Sequence, residues 1–253
     1  MMNVEMIQFW RGYGRKIVCR LHNAILSAAE GVLPWMRPRE CPCCGWTGLR
    51  FRSFAVMEYL RRNVICPQCG SFERHRALSF FYARFLAALG QRPSRLIHFS
   101  AESCLEKILM PLCDRYEKSS HGDEVTADLQ LDLGNLKLGD ETCDLLLMNH
   151  VLDCMSSDRG VAIEMNRVLR PGGVALAIVS IEEGVRTREL ATPMSNSCYR
   201  IYGSEDLAER FAPLTVSVVN AAEGLSAEVR KRNGIHAFVS VLVLKKEMDS
   251  CRS

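Results

Sequence analysis

Residues 143–181 read CDLLLMNHVLDCMSSDRGVAIEMNRVLRPGGVALAIVSI, and this stretch decides the fold class. It opens with a short apolar run, CDLLLMN (143–149), which predicts a buried strand. DRGVAIEMNRVL (158–169) follows with apolar residues at helical spacing, and RPGG (170–173) is expected to stop that helix. VALAIVSI (174–181) is again an apolar run of strand length. A strand, a helix and a second strand in this order predict a parallel βαβ unit.

The same alternation extends on both sides of this unit. Further strands are predicted at 95–100, 124–129, 214–219 and 237–244, and helices at 71–89 and 101–110. We therefore predict an α/β fold with a Rossmann-like, doubly wound and mostly parallel sheet. The segment between the last two strands shows little helical pattern, which favours an antiparallel hairpin at one edge of the sheet.

Two cysteine knuckles stand before the predicted sheet, ECPCCG (40–45) and CPQCG (66–70). Each contains a pair with two intervening residues and is followed by a glycine, where a tight turn favours positive φ. Such pairs are typical of a four-cysteine zinc site, which is structural because the protein fills all four ligand positions. The alternative is four unrelated thiols. The predicted ligands are Cys41, Cys44, Cys66 and Cys69, and the adjacent Cys43 has no assigned role.

Length and cysteine usage limit the class of protein. The chain has 253 residues and 12 cysteines, with no apolar run of transmembrane length and no apolar core of a signal peptide near residue 1. These features favour a reducing compartment, the cytoplasm, over a secreted disulfide scaffold. The expected division is an N-terminal basic helical segment (1–40), a zinc ribbon with its connecting helix (41–92), the α/β domain (93–246) and a tail (247–253).

Charge is distributed unevenly along the chain. Residues 1–95 hold 15 Lys and Arg against 5 Asp and Glu, whereas residues 96–253 hold 17 against 24. This asymmetry predicts either two modules with different partners or two halves that attract each other. Residues 13–33 have the pattern of a basic amphipathic helix, for which packing on the protein is favoured over peripheral contact with a membrane.

The carboxyl ends of the predicted strands indicate a candidate ligand site, because ligands of open α/β sheets bind beyond those ends. A carboxylate there can accept hydrogen bonds from the hydroxyls of a ribose, and we assign this role to Asp128. Asp132 could accept a hydrogen bond from the amine of an adenine. The other predicted ligand-binding residues are His98, Ser100, Ala101, Glu102 and Asn149. His150 and then Asp153 are the candidate general bases.

Three stretches, VTADLQLDL (125–133), CDLLLMNHVLDCM (143–155) and EMNRVLRPGG (164–173), resemble the class I S-adenosylmethionine-dependent methyltransferases. The resemblance covers about residues 93–245 and implies that fold and S-adenosylmethionine as the cofactor. Ordinary members place three glycines after the first strand, whereas Ser100, Glu102 and Cys104 stand at those places here.

The N-terminal half is similar to a bacterial branch of that family. CPCCG and CPQCGSFERHRAL, followed by RLIHFSAESCLEKIL, resemble its cysteine zinc ribbon, its E-R-H-R segment and its cofactor loop, which also lacks the glycines. Arg74 and His75 of the E-R-H-R segment either hold an anionic substrate or form a charged first turn of the helix. The segment 181–213 is expected to form the substrate wall, with Tyr199 and Arg200 as candidate contacts.

The sequence thus predicts a methyltransferase with structural zinc. The expected acceptor is a sugar or another small polar molecule, with a nucleic acid as the alternative because the first part of the chain is basic. The competing hypothesis is a non-catalytic zinc-ribbon protein that binds a nucleic acid or protein, since the glycines are absent and Cys154 stands where the branch has a histidine. A nicotinamide dehydrogenase is disfavoured, since no G-x-G-x-x-G follows the first strand.

Overall fold

The computed structural model describes residues 21, 38–56, 59–120, 129–130, 132–190 and 199–248. The helix predicted over 13–33 lies outside this part of the chain, apart from residue 21. Contacts divide the chain into two units. The ribbon unit contains the described residues up to Phe81 together with Ala222–Val239, and the sheet unit contains those in Tyr82–Ala221 and from Ser240 onward.

The ribbon unit is built from two short antiparallel hairpins and two helical segments. Its elements are β1 (Arg39–Glu40), β2 (Thr47–Gly48), β3 (Arg52–Val56), β4 (Tyr59–Ile65) and the first part of α1 (Glu73–Ala88). Strand β1 pairs with β2, and β3 pairs with β4. The chain returns to this unit much later, through the segment after Ala222 that contains a short helix.

The sheet unit alternates strands and helices. Its first half contains β5 (Arg95–Phe99), α2 (Ser103–Leu109), β6 (Arg115–Ser120), β7 (Leu129–Gln130), β8 (Cys143–Asn149), α3 (Asp158–Val168) and β9 (Leu169–Ile178). Its second half contains β10 (Ile181–Glu182), β11 (Arg188–Glu189), β12 (Arg200–Gly203), α4 (Leu207–Phe211) and β13 (Thr215–Asn220); after α5 (Ala227–Asn233) of the ribbon unit comes β14 (Ser240–Lys245). None of the helices in the described residues is both long and apolar enough to cross a bilayer.

Seven strands form one sheet in the order β13-β14-β9-β8-β5-β6-β7. Strand β14 runs antiparallel to both of its neighbours, and the remaining adjacent pairs are parallel. The chain proceeds outward from β5 through β6 to β7 and then returns to place β8 on the other side of β5. The order therefore reverses between β5 and β8, which is where ligands bind in sheets of this kind. The predicted Rossmann-like, mostly parallel fold is confirmed.

The core explains the apolar run at the centre of β8, residues 145–148. Helices cover parallel sheets on both faces, so every side chain of a central strand needs an apolar environment. Leu145, Leu146, Leu147 and Met148 are all buried to 1 % exposure or less. Helix α3 supplies a matching apolar stripe, with Val161, Ala162, Met165 and Val168 fully buried in the same core.

Several boundaries differ from the sequence prediction. Helix α3 ends at Val168 as expected, but β9 begins directly at Leu169 and runs through RPGG. The second strand of the parallel sheet is β6, which was not predicted, and of the strand predicted over 124–129 the structure describes Leu129, which lies in β7. The last two strands do pair antiparallel at the edge, yet the connection between them contains helix α5, contrary to the prediction.

The domain boundaries also need correction. The predicted α/β domain (93–246) is interrupted, because Ala222–Val239 groups with the ribbon unit. Arg39 Nη1 donates to the carbonyl of Lys231, and Arg232 forms a 2.8 Å ion pair with Glu40. These contacts attach α5 to the first hairpin.

Arg76 of the E-R-H-R segment joins the parts of the ribbon unit. Its buried guanidinium donates to four backbone carbonyls, those of Val64 (3.0 Å), Ser71 (2.7 Å), Asn233 (2.6 Å) and Gly234 (3.0 Å). These acceptors come from strand β4, the second knuckle and the end of α5. One side chain thus holds together segments that are more than 150 residues apart in sequence.

We predict that Arg76→Met lowers the free energy of unfolding by at least about 3 kcal/mol, because buried carbonyls would lose their donor. Arg84→Met is the matched control on the same helix, since Arg84 is exposed and donates to the Ala221 carbonyl over 3.1 Å; we expect a loss below about 1 kcal/mol. Urea unfolding followed by fluorescence and circular dichroism measures both. Equal losses would contradict the role given to Arg76.

Candidate active site

The two central strands end in the same unusual backbone conformation. Strand β5 is followed by Ser100 with φ of 48°, and β8 is followed by His150 with φ of 55°. Each turn is fixed by a 2.9 Å backbone hydrogen bond, from Ser100 to the Ser119 carbonyl and from His150 to the Ile178 carbonyl. The left-handed region costs a non-glycine residue about 1–2 kcal/mol. Such strain concentrates at functional sites, and here it lies at the carboxyl edge of the sheet.

A hydrogen-bonded network beneath these turns positions Glu102. Asn149 Nδ2 donates to Glu102 Oε2 over 3.0 Å, and Asn149 Oδ1 accepts a 3.0 Å hydrogen bond from the Tyr82 hydroxyl. His98 Nε2 lies 3.0 Å from the same carboxylate oxygen, and its Nδ1 lies 2.9 Å from the Tyr116 hydroxyl. The loops after β5 and β8 are joined through this one carboxylate.

Burial determines which groups of this network donate hydrogen bonds and which accept them. Desolvation raises the pKa of Tyr82 far above its usual range, so the phenol keeps its proton and donates to Asn149. The amide oxygen of Asn149 is therefore directed at Tyr82 and its NH₂ group at Glu102. The Glu102 side chain is 21 % exposed, so its carboxylate reaches the surface of the site while its orientation is set from below.

Two predicted ligand contacts have a different role in the structure. His98 is fully buried and Asn149 is 6 % exposed; Asn149 donates a hydrogen bond to Glu102, and His98 Nε2 lies 3.0 Å from the same carboxylate. They position the carboxylate, whereas Ser100, Ala101 and Glu102 itself are at least partly exposed. Sequence reasoning missed Tyr82 and Tyr116, which lie on α1 and β6. No local motif marks either tyrosine.

The two candidate bases lie together after β8. His150 Nδ1 is 4.0 Å from Asp153 Oδ2, with 41 % and 11 % of their side chains exposed. Asp153 lies in a short 3₁₀ turn, Leu152–Cys154. Its backbone carbonyl accepts a 2.8 Å hydrogen bond from the Tyr199 N–H, which brings the partly exposed Tyr199 to the same part of the sheet unit.

Arg200 is a correction to the predicted substrate contacts. It is 3 % exposed, and its guanidinium bonds to the carbonyls of Met155 (2.7 Å) and Ser156 (3.0 Å) and to the carboxylate of Glu189 (3.1 Å). A guanidinium with these internal acceptors braces the segment after β9. That segment forms a small three-stranded sheet, β10-β12-β11, where a substrate wall was expected.

Of the two residues predicted to contact the adenosine, the structure describes one. Asp128 lies outside the described residues, and the strand residues that the structure describes follow it in the chain. Asp132 is exposed just after β7, where its Oδ1 accepts a 2.8 Å hydrogen bond from the Gly134 N–H. The structure therefore places Asp132 beyond the carboxyl end of a strand, as predicted.

The four predicted metal ligands come together in the ribbon unit. The sulfur atoms of Cys41, Cys44, Cys66 and Cys69 all lie within 4.8 Å of one another. Cys41 Sγ is 3.6 Å from Cys69 Sγ, and Cys44 Sγ is 3.7 Å from Cys66 Sγ. A zinc tetrahedron with bonds of about 2.3 Å has sulfur–sulfur edges of about 3.8 Å. The donor set fits zinc, and these distances are far longer than a disulfide bond of about 2.05 Å.

The turns of the knuckles and the fifth cysteine are also explained. Gly45 and Gly70 have φ of 74° and 72°, and their N–H groups bond back to the carbonyls of Cys41 and Cys66. The positive φ predicted at both glycines is confirmed. Cys43 is buried, its thiol is 3.7 Å from the carbonyl of His75, and its sulfur is not one of the four clustered sulfurs.

His75 is a second correction. It is 5 % exposed, and its Nδ1 accepts a 3.3 Å hydrogen bond from the Phe72 N–H at the start of α1. Glu73 beside it pairs with Arg61 and with His236. The E-R-H-R segment therefore stabilises the ribbon unit, and only Arg74 of its members has a partly exposed side chain.

Comparison with protein families supports the assignment made from the fold. Residues 110–177 match the family model of a methyltransferase domain. This range begins just after α2 and runs through β6, β7 and β8 into β9. The matched segment is similar to a methyltransferase domain, as the sequence resemblance implied, and the match supports an enzyme of the methyltransferase class. No curated protein matches the sequence.

Solved structures with a similar fold include two bacterial examples. The YcgJ protein of Bacillus subtilis is 12 % identical, with 70 % of this chain and 100 % of that one covered and a TM-score of 0.47. The Burkholderia thailandensis 1,6-didemethyltoxoflavin-N1-methyltransferase, solved with S-adenosylhomocysteine, is 17 % identical over 68 % of this chain and 78 % of that one, with a TM-score of 0.49. Both TM-scores are below 0.5, so the fold is assigned from the strand order itself.

The strain at Ser100 gives a test of the turn after β5. Ser100→Gly should leave the free energy of unfolding unchanged or raise it by up to about 1 kcal/mol, because glycine adopts positive φ without a Cβ clash. Ser100→Val should lower it by at least about 1 kcal/mol, because a β-branched residue is poorly tolerated there. Chemical denaturation measures both variants. A glycine variant as unstable as the valine variant would contradict the conformation described.

Proposed function

We propose that the protein is an S-adenosylmethionine-dependent methyltransferase whose cofactor binds at the carboxyl edge of β5 and β8. The observation that carries this proposal is Glu102, a carboxylate oriented by Asn149 and His98 at the point where the strand order reverses. The family match over residues 110–177 gives the class of reaction, and the site supplies the anion that a cationic cofactor needs.

The residues at this edge fit the cofactor chemically. When bound, S-adenosylmethionine supplies a methyl group on a positively charged sulfonium, together with an amino acid ammonium. Glu102 would accept hydrogen bonds from that ammonium, and the neighbouring Ser100 and Ala101 are at least partly exposed. Asp132 is proposed for the adenine amine and Asp128 for the ribose hydroxyls. The left-handed turn at Ser100 takes the place of the glycine-rich loop of ordinary members.

For methyl transfer the protein then has to align the methyl donor with the acceptor and, for some acceptors, to provide a base that takes up a proton. Holding donor and acceptor in line is an entropic contribution, and a base is needed only for a hydroxyl or protonated amine. We propose His150 as that base, oriented by Asp153, because the imidazole is exposed and the carboxylate is buried beside it. Tyr199 is proposed to contact the acceptor, for which a sugar or small polar molecule is favoured.

Calorimetric titration with S-adenosylmethionine and S-adenosylhomocysteine tests the cofactor assignment. We expect micromolar binding by the wild-type protein and about 10- to 100-fold weaker binding by Glu102→Gln, which loses a charge-assisted hydrogen bond. Glu106→Gln on α2, which removes a carboxylate paired with Lys118 at 3.3 Å, is the matched control and should bind as wild type.

Either of two results would count against the proposal. Binding of neither ligand by the wild-type protein would favour the alternative, a zinc-ribbon binding protein whose sheet unit has lost the cofactor. Equally strong binding by Glu102→Gln would leave S-adenosylmethionine as the cofactor but would show that Glu102 does not contact it.

We further propose that Cys41, Cys44, Cys66 and Cys69 hold a structural zinc ion. Four sulfurs leave no ligand position for water, so the ion would stabilise the ribbon unit and take no part in methyl transfer. The Ser71 hydroxyl, 3.1 Å from Cys41 Sγ, is placed to donate to one thiolate. A thiolate site of this kind fits the reducing conditions of the cytoplasm, which is the proposed compartment.

Metal analysis of purified variants tests the zinc site. We expect one zinc per chain in the wild-type protein, and in Cys41→Ser a large loss of zinc and of ribbon stability, because the ion contributes directly to folding. Cys43→Ser is the matched control two positions away and should retain its zinc, since a serine hydroxyl can also donate to the His75 carbonyl. Equal zinc content in Cys41→Ser and wild type would contradict the ligand set.

A further inference from the structure

Hairpin β3–β4 and the start of α1 form a surface that methyl transfer does not use. Five residues, which we call the Arg-Phe surface, make it up: Arg52, Phe54, Arg61, Phe72 and Arg74. Arg52 and Phe54 are two positions apart on β3 and both exposed, with the buried Ser53 between them, so they share one face of the strand. Arg61 is the cross-strand partner of Phe54 and therefore lies on the same face.

Two aromatic rings lie at the centre of the Arg-Phe surface. The rings of Phe54 and Phe72 meet edge to face, with centroids 5.5 Å apart and an interplanar angle of 88°. Phe54 is 38 % exposed although it is large and apolar, so part of its ring is in contact with solvent. Arg74 Cζ lies 4.8 Å from the centroid of Phe72. Arg74 is partly exposed, so its positive charge lies at the surface beside the two rings.

The charge of the surface is positive. Among the described residues, the carboxylate of Glu73 pairs with one of its guanidiniums, that of Arg61, and lies 3.1 Å from His236 Nε2. Glu73 is buried, whereas the side chain of Arg61 remains 35 % exposed. Further exposed basic residues of the ribbon unit are Arg50, Arg62, Lys231 and Arg232. The surface would attract a polyanion.

We propose that the Arg-Phe surface binds single-stranded nucleic acid, with a base stacked on Phe54 and phosphates on Arg52 and Arg74. Base stacking on an exposed aromatic ring requires an unpaired base, which favours a single strand over a duplex. An acidic protein would satisfy the arginines but would leave the exposed phenyl ring without a matching planar partner. The inference concerns the ribbon unit alone and does not depend on the cofactor site.

Fluorescence anisotropy with labelled 15-mers of rU and dT, and with a duplex of the same length, tests the binding. We expect both single strands to bind more tightly than the duplex. The two phosphate contacts, on Arg52 and Arg74, predict a loss of affinity of about sevenfold between 50 and 200 mM salt. The rU and dT arms distinguish RNA from DNA.

Three variants separate stacking from charge. Phe54→Ala should weaken binding about tenfold or more, and Phe54→Trp should retain it and add a tryptophan signal that is quenched when a base stacks. Arg52→Ala should weaken binding and reduce the salt slope by about 0.7. Lys245→Ala, which removes an exposed cation from the sheet unit, is the control and should bind as wild type.

The outcomes that would overturn the proposal are specific. No binding of either single strand at 50 mM salt would do so, as would full affinity in Phe54→Ala combined with no quenching in Phe54→Trp. Polyglutamate that competes as well as rU would assign the surface to acidic proteins. Circular dichroism and zinc content of each variant identify any loss of affinity that comes from unfolding.

Discussion

The hydrogen bond from Asn149 to Glu102 is the contact on which the candidate site depends. It joins the loops after the two central strands, and each loop begins with a strained residue, Ser100 or His150. Without a defined position for Glu102, the carboxyl edge would present a mobile carboxylate on a short helix. Tyr82 and His98 act from beneath to fix that position, and both lie inside the sheet unit where water does not compete.

The ribbon unit depends on an analogous device, a buried cation that satisfies backbone acceptors. Arg76 reaches four carbonyls and stacks on Phe51 with its Cζ 3.8 Å from the ring centroid. Burial lowers the pKa of this guanidinium. Nearby cysteines act in the opposite direction and raise the pKa, and Cys41 has the largest of these effects. A four-thiolate zinc centre would carry negative charge, so the same arginine would also offset part of the charge of the metal site.

The sequence predicted those parts of the fold whose signal is local. Strands β8 and β9 are apolar runs, and the paired C-x₂-C spacing fixed the four clustered sulfurs. Strand β6 was missed because its buried positions carry Glu117 and Ser119, so it has no apolar alternation; Glu117 is instead paired with Arg95 at 2.5 Å. The roles of Tyr82 and Arg76 were not predictable either, because their partners lie 67 and 157 residues away.

Hydrogen–deuterium exchange with and without S-adenosylhomocysteine tests the central claim most directly, because it needs no knowledge of the methyl acceptor. If the ligand binds where Glu102 is held, amides in peptides covering 98–106 and 148–155 should exchange more slowly when it is bound, since these are the two loops joined at the carboxyl edge. Protection absent from both peptides at a saturating concentration of ligand would contradict the account.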